Sequence, residues 1–465
     1  MRTLIKNGTV VTASDTFAAD VWIEGGRVVA LTHPAGRAHG APADREIDAT
    51  GKYILPGGID AHTHLDMPFG GTTSVDDFES GTIAAAHGGT TSIIDFAIQK
   101  KGGTLTEALD TWHQKAEGKA AIDYGFHMIA TDVPPGQLDE MARIVKEGVT
   151  SFKLFMAYPN VLLLDDQSIF RAMLRAGELG ALICMHAETG LPIDVLVERA
   201  LQAGHTAPVY HALTRPEAAE ATGTERAIAL AEMAQVPVYI VHLSAQRALE
   251  RVMEARDRGL PTYAETCPQY LFLSEEDLRG KPDDEFEGAK YVCTPPLRPQ
   301  HHHQHLWRGL ANHDLQVVST DHCPFCMKGQ KELGRGNFSK IPNGMPGIET
   351  RLHLLWEGVR EKRISMNRFV EISSTAPAKI FGLYPRKGNV CIGADADLLV
   401  WDPEKRYELS HRNLHMRADY AAYEGKTVIG APTHVFSRGE LVVENDRFLG
   451  SRGRGRFLRR STFGL

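Results

Sequence analysis

GGIDAHTH, residues 57–64, decides how the rest of the chain is read. A short apolar run leaves a Pro-Gly-Gly turn at Pro56, Gly57 and Gly58 and delivers two histidines, His62 and His64. Spaced by two on a strand, both imidazoles project to the same side. On a helix the same result would need a spacing of three or four. Two histidines on one side of a strand end suit ligands of a single metal ion.

Working outward, four more chemistry-bearing residues sit at or near the ends of similar apolar runs. Lys153 lies in TSFKLFMAY, His186 in ALICMHAE, His242 in VYIVHLS and Asp321 in VVSTDHCP. A β/α barrel carries its functional side chains at the C-terminal ends of its strands, so residues far apart in sequence meet on one face. Strands are predicted at 58–63, 91–96, 124–129, 151–156, 181–186, 236–243, 261–265 and 315–321. Helical patterns separate most of them, such as TEALDTWHQKAEG (106–118) and DDQSIFRAMLRAGELG (165–180), the latter ending on a glycine cap. The predicted class is therefore α/β, a TIM-like (β/α)8 barrel.

The two ends of the chain read as β. LIKNGTVVTA and ADVWIEGGRVVAL are β-branched runs with a hairpin turn at Gly25 and Gly26, and GNVCIGADADLLVWDP and THVFSRGELVVENDRFLG resume the pattern late. A small β-sandwich domain built from both ends is predicted. Its first part covers 1–53, the barrel 54–384 and its second part 385–450, followed by a basic tail, 451–465, at subunit contacts. The least regular segment, 270–312, reads as an excursion after the seventh strand.

The 465 residues suffice for such a barrel and a second domain. Hydrophobic residues at 43%, charged residues at 23% and a net charge of −7 describe a soluble globular chain and argue against a nucleic-acid partner. The arginines of GSRGRGRFLRR read as a solvated or intersubunit tail. No apolar stretch is long enough to span a bilayer, and MRTLIKNGTVV does not resemble a secretory signal. Six cysteines are too few for a disulfide framework, so the cytoplasm is the expected compartment.

Lys153 is the unusual member of the six. Burying an ammonium in an apolar strand is costly and depresses its pKa. A cation cannot ligate a cation, but a neutral amine can take up carbon dioxide to give a carbamate, whose two oxygens can bridge two metals. Imidazole, carboxylate and carbamate ligands suit zinc best, with manganese, cobalt or nickel as alternatives. Such a pair would hold a bridging hydroxide near neutral pH, with Asp321 passing its proton to a leaving nitrogen. Two other signals are set aside. Cys323-x-x-Cys326 has no second pair, and HHHQH at 301–305 lies away from any strand end and reads as a solvated run.

LIKNGTVV, DATGKYILPGGIDAHTH, DYGFH, FKLFMAY, AETCPQYL, YVCTPPLR, TDHCPF, IPNGMPGIE, GADADLLVWDP and GRGRFLRR together resemble the dihydropyrimidinase/D-hydantoinase family, cyclic amidohydrolases of the amidohydrolase superfamily. The resemblance spans nearly the whole chain. It implies that His62, His64 and Asp321 bind one metal, that His186 and His242 bind the other, and that carboxylated Lys153 bridges them. It further implies that Tyr158 donates to the oxyanion and that Thr294 and Asn343 hold the cyclic amide, largely through backbone groups. The family often has Ser at the Thr294 position, which a main-chain contact tolerates. Loops after the first strands set the ring-substituent preference, so Leu65, Met67, Phe69, Phe152 and Phe155 are candidates for an apolar substrate wall. A homotetramer is also implied.

The reaction so implied is hydrolytic opening of 5-substituted hydantoins or 5,6-dihydropyrimidines to N-carbamoyl amino acids. Allantoinase and dihydroorotase are the neighbouring alternatives. Dihydroorotases typically carry Arg two residues after the second histidine, where this chain has Asp66. A non-catalytic scaffold of the same fold is the alternative from another class, and all six filled ligand positions speak against it.

Overall fold

A computed structural model describes residues 1–34, 40 and 42–463. Eight parallel strands form the central sheet in chain order: Gly58–Thr63, Thr90–Ile98, Asp123–Ile129, Ser151–Phe155, Leu182–His186, Val238–Ile240, Thr262–Thr266 and Val317–Val318. Helices follow most strands and cover the outside. The first and last strands meet through a parallel bridge between Thr63 and His322. Asp60 completes this seam, accepting from the Thr320 amide at 3.1 Å and the Thr320 hydroxyl at 2.6 Å. The molecule contains a nearly closed (β/α)8 barrel.

A second, nine-stranded sheet joins the chain ends. Tyr53–Pro56 pairs parallel with Arg2–Val11 on one side and antiparallel with Leu398–Leu409 on the other. Thr16–Glu24 turns back into Arg27–Thr32 through Gly25 and Gly26, whose φ of 59° and 81° only glycine adopts without strain. This sheet encloses its own core of Ile5, Val10, Val21, Ile54, Leu398, Val400 and Phe436.

Strand alternation sorts the barrel side chains. On Ser151–Phe155, Phe152 and Leu154 enter the core beneath the helices, whereas Phe155 joins a separate cluster at the mouth with Met67, Phe96, Ile129 and Leu162. The barrel interior holds Ile59, Ile94, Leu182, Cys184, Tyr239 and Val317, with Leu458 from the tail packed among them. Arg460 is buried against the barrel too, its guanidinium 2.8 Å from the Ser151 hydroxyl.

Two sequence expectations need correction. The 270–312 segment is more regular than predicted, with helices at Gln269–Phe272 and His301–Ala311 and 3-10 turns at Glu275–Arg279 and Glu285–Tyr291. HHHQH is the first turn of a packed helix rather than a solvated run. His302 is buried, its Nδ1 accepts from the Gln246 amide at 2.9 Å, and burial lowers its pKa to about 3. The ring of His303 lies 2.7 Å from the Leu273 carbonyl.

Candidate active site

The barrel geometry gathers all six predicted metal ligands at the strand mouths. His62 ends the first strand and His64 follows it; Lys153 points inward from the fourth; His186 ends the fifth. His242 and Asp321 lie just past their strands, with φ of 40° and 53°. Positive φ is costly for residues with a Cβ and is retained where surrounding structure enforces it, often at functional sites. These turns aim both side chains over the barrel mouth instead of along the strands.

The polar atoms converge closely. His62 Nε2 lies 3.2 Å from His64 Nε2, 3.0 Å from Lys153 Nζ and 3.2 Å from Asp321 Oδ1. His64 Nε2 lies 3.1 Å from the same Asp321 oxygen. On the far side His186 Nδ1 and His242 Nε2 are 2.9 Å apart. The second ring nitrogens are held or bare. His62 Nδ1 meets Glu265, His186 Nε2 meets Glu188 at 2.9 Å, and the buried Nδ1 atoms of His64 and His242 have no hydrogen-bond partner.

This arrangement is poorly satisfied by protons alone. Burial raises the pKa of Glu265 to about 7; in its ionised form it can only accept, which makes His62 Nδ1 the donor and leaves Nε2 as a lone pair. That lone pair faces a carboxylate oxygen and another imidazole nitrogen at contact distance, with the Lys153 amine as the third neighbour. Burial pushes the pKa of His62 well below its ordinary value, with the Lys153 charge adding to the effect. His242 is lowered by burial and by His186. The burial of Asp321 opposes its ionisation, but His62 and His64 outweigh it and bring its pKa to about 2. Imidazoles around a carboxylate are the donor set that a divalent cation takes. Lys153 is 1% exposed, and burial lowers its pKa towards the neutral amine that carbamate formation needs.

Above these residues lies a pocket lined by Met67, Phe69, Phe155, Leu162, Tyr158, Thr294, Cys323, Asn343 and Gly344. Tyr158, at φ 61°, lines the pocket with Thr294 and Asn343, and burial raises the pKa of its phenol, keeping it a donor. The ring of His211 holds Thr294 in turn, with Nε2 3.0 Å from both the Thr294 hydroxyl and the Cys293 carbonyl.

Leu65 and Phe152 are not part of this wall. Leu65 is fully buried against Gly81 behind the first strand, and Phe152 is turned away from Lys153 by the strand's period of two. Leu162 and Gly344 occupy the pocket without having been anticipated. Asp66 does not line the pocket either. Its carboxylate is 3.7 Å from Lys115. Among the described lining residues there is no arginine and no lysine but Lys153. Cys323 borders the pocket, but burial raises its pKa, which keeps it a thiol.

The supporting acids were missed by sequence reasoning. Glu265 also accepts from the Tyr239 hydroxyl at 2.9 Å and the His242 amide at 3.2 Å. Asp95 accepts from the Thr63 hydroxyl, the Leu65 amide and the Trp112 indole at 2.7–2.9 Å. Glu265 nearly ends the strand Thr262–Thr266, and that position was the available signal; Asp95 lies inside the strand Thr90–Ile98.

Residues 53–442 match the model of the amidohydrolase family. The chain belongs to that family. It is similar along its whole length to bacterial enzymes. A D-hydantoinase of Streptomyces coelicolor is 56% identical over 464 residues, covering 99% of this chain and 98% of the relative. A D-hydantoinase of Geobacillus stearothermophilus is 51% identical, covering 100% and 98%. The crystal structure of dihydropyrimidinase from Brevibacillus agri NCHU1002 superposes with a TM-score of 0.97 at 52% identity, covering 100% of both chains.

Proposed function

We propose that this amidohydrolase opens uncharged cyclic diamides, 5-substituted hydantoins or 5,6-dihydropyrimidines, to N-carbamoyl amino acids. The observation that carries the reading is the pairing of two features. Buried lone pairs on His62, His64, His186, His242 and Asp321 converge beside the Lys153 amine. Directly above them, the pocket offers an apolar wall and the Tyr158 donor, without a guanidinium to bind an anion.

His62, His64 and Asp321 would hold one divalent ion and His186 and His242 a second, zinc by donor chemistry. Lys153 would bridge them after its Nζ adds to carbon dioxide, forming an N–C bond and releasing a proton. When bound, the ions supply a water acidified towards neutrality and a polarised ring carbonyl. The remaining roles belong to the chain. Thr294 and Asn343 hold the ring amide. Tyr158 donates to the oxygen that gains charge as the tetrahedral centre forms, where a fixed donor is most effective. Asp321 takes a proton from the attacking water at its carboxylate and returns it to the departing ring nitrogen. The residues Met67, Phe69, Phe155 and Leu162 receive the ring substituent. The same reading carries a cytoplasmic homotetramer, for which light scattering and cell fractionation are the checks.

The test is turnover of dihydrouracil, hydantoin, 5-phenylhydantoin, 5-benzylhydantoin, allantoin and dihydroorotate, with metal content measured on the same preparation. Opening of hydantoins or dihydrouracil well above the last two supports the assignment. A metal-loaded protein that opens neither hydantoin nor dihydrouracil overturns it.

A further inference from the structure

Lys331 is fully buried, begins a 3-10 turn at Lys331–Gly334, and does not line the active-site pocket. Among the described residues no carboxylate lies within ion-pair distance of it. Its ammonium instead meets three backbone carbonyls: Val292 at 3.0 Å, Pro342 at 2.7 Å and Gly344 at 2.8 Å. An ammonium has three donors and these carbonyls use all of them. The Phe325 ring is 6.0 Å away.

The identity of those carbonyls is what matters. Pro342 and Gly344 flank Asn343, and Val292 is two residues before Thr294. Asn343 and Thr294 both line the pocket, together with Tyr158. The Gly344 amide also donates to the Val292 carbonyl at 2.9 Å, so the two segments are stitched directly beneath the ammonium. A Cβ on Gly344, at φ 143°, would lie 2.1 Å from the Cys323 carbonyl, so the segment has no room to shift that way.

Burying a cation without an anion is expensive. Burial brings the pKa of Lys331 down to about 7, which reflects that cost. Neutral donors could satisfy three carbonyls more cheaply, but one ammonium draws carbonyls of two separate segments to a single point. We propose that Lys331 is a positioning residue: it clamps segments 292–295 and 342–345 at the spacing that lets Thr294 and Asn343 hold the substrate ring. The inference rests on the cyclic-diamide reading above.

The experiment compares the wild-type holoenzyme with Lys331→Met, Lys331→Gln and Lys331→Arg, measuring KM and kcat on hydantoin together with metal content and Tm. Met removes every donor, Gln retains two and Arg retains the charge. The expected result is a KM at least tenfold higher for Met, an intermediate value for Gln and the best retention for Arg. Metal content should be unchanged and kcat within about threefold of wild type. A purely structural lysine would lower Tm and leave the KM of the folded enzyme alone, and that result overturns the proposal. If Met fails to fold, Gln decides, and a KM within twofold of wild type overturns. Failure of all three to fold assigns Lys331 to folding alone and overturns it too. If the wild type opens no cyclic diamide, the substrate reading has failed, and the clamp is read from hydrogen exchange of the Gly344 amide. Faster exchange in the Met or Gln variant supports the clamp, and unchanged protection overturns it.

Discussion

Glu265 fixes the imidazole of His62: its Oε1 receives the Nδ1 hydrogen, while Oε2 receives the Tyr239 hydroxyl at 2.9 Å. The same Oε1 takes the backbone amide of His242 at 3.2 Å, so one carboxylate steadies a proposed ligand of each metal. Acids behind ligating histidines set the tautomer and raise ligand basicity, and their loss typically reduces metal affinity about 10–100-fold. Glu265→Gln keeps the shape and removes the charge. Competition with a chelator should show metal retention falling by that order while the fold persists. Unchanged retention would remove Glu265 from the metal site.

Lys153 carries the bridging argument. Its amine, 3.0 Å from His62 Nε2 and stripped of solvent, offers one lone pair as it stands and would offer two oxygens once carboxylated. Lys153→Ala should lower metal content from two ions per chain and reduce turnover by about a thousandfold or more, the scale of losing a catalytic unit. Apoprotein reconstituted with zinc in carbon-dioxide-free buffer should regain activity slowly, and bicarbonate should speed recovery. Recovery at the same rate with and without bicarbonate would sink the carbamate.

The legibility of this chain followed from position more than from residue type. His62, His64, His186, His242 and Asp321 could be found because each lies at or just past a strand end, and Lys153 because it is a lysine inside an apolar strand; the barrel then brings them together. Phe152 adjoins Lys153 in sequence but the strand's period of two turns it to the other face, and Leu65, in the turn past the first strand, is buried behind it. His302 was misread because a run of histidines looks polar, whereas its helix buries that side chain and gives it a backbone partner. Lys331 escaped notice for a deeper reason. Its role depends on tertiary neighbours, such as the Pro342 carbonyl, that no local pattern announces.

Tyr158 lines the pocket with Thr294 and Asn343, and its phenol keeps its proton because burial raises its pKa. Tyr158→Phe removes one hydroxyl and little volume. A lost oxyanion donor costs roughly 10²–10³ in kcat. Stopped assays at saturating substrate should show that loss with metal content intact. A variant with wild-type kcat would leave the oxyanion to other donors.

The apolar mouth makes a prediction about substituents. Leu162 is 3% exposed and packs with Met67, Phe96 and Phe155 where the ring substituent would lie. Leu162→Ala should reduce kcat/KM for 5-phenylhydantoin by roughly 10–200-fold, the range for lost apolar pocket contact. Dihydrouracil, which has no substituent to fill the space, should change little. Equal losses on both substrates would show that Leu162 supports the loop rather than the substrate.

Lys387 ties the barrel to the terminal sheet. It is 1% exposed and its ammonium lies 2.8 Å from Asp123, at the start of the third barrel strand, 2.5 Å from Asp397, beside the strand Leu398–Leu409, and 3.3 Å from Asp395. Burial works against its charge, but these carboxylates outweigh burial and raise its pKa above the ordinary value. A raised lysine pKa gives stability that is complete below the unfolded value and is lost only as pH climbs through the folded one. The lysine's own contribution is therefore flat across neutral pH. Lys387→Met leaves Asp123 and Asp397 buried with Arg438, 3.0 Å from Asp123, as the remaining nearby cation. Removing one partner of a buried pair costs about 3–5 kcal/mol. The carboxylates left without Lys387 then favour protonation in the folded variant, so its deficit should shrink as pH falls. Thermal melts should show a large loss of Tm at pH about 8 and a smaller one at pH about 5, where carboxylates begin to take up protons. A deficit that is constant, or that grows on acidification, would mean that packing of the lysine stem, not its charge, holds the two sheets together.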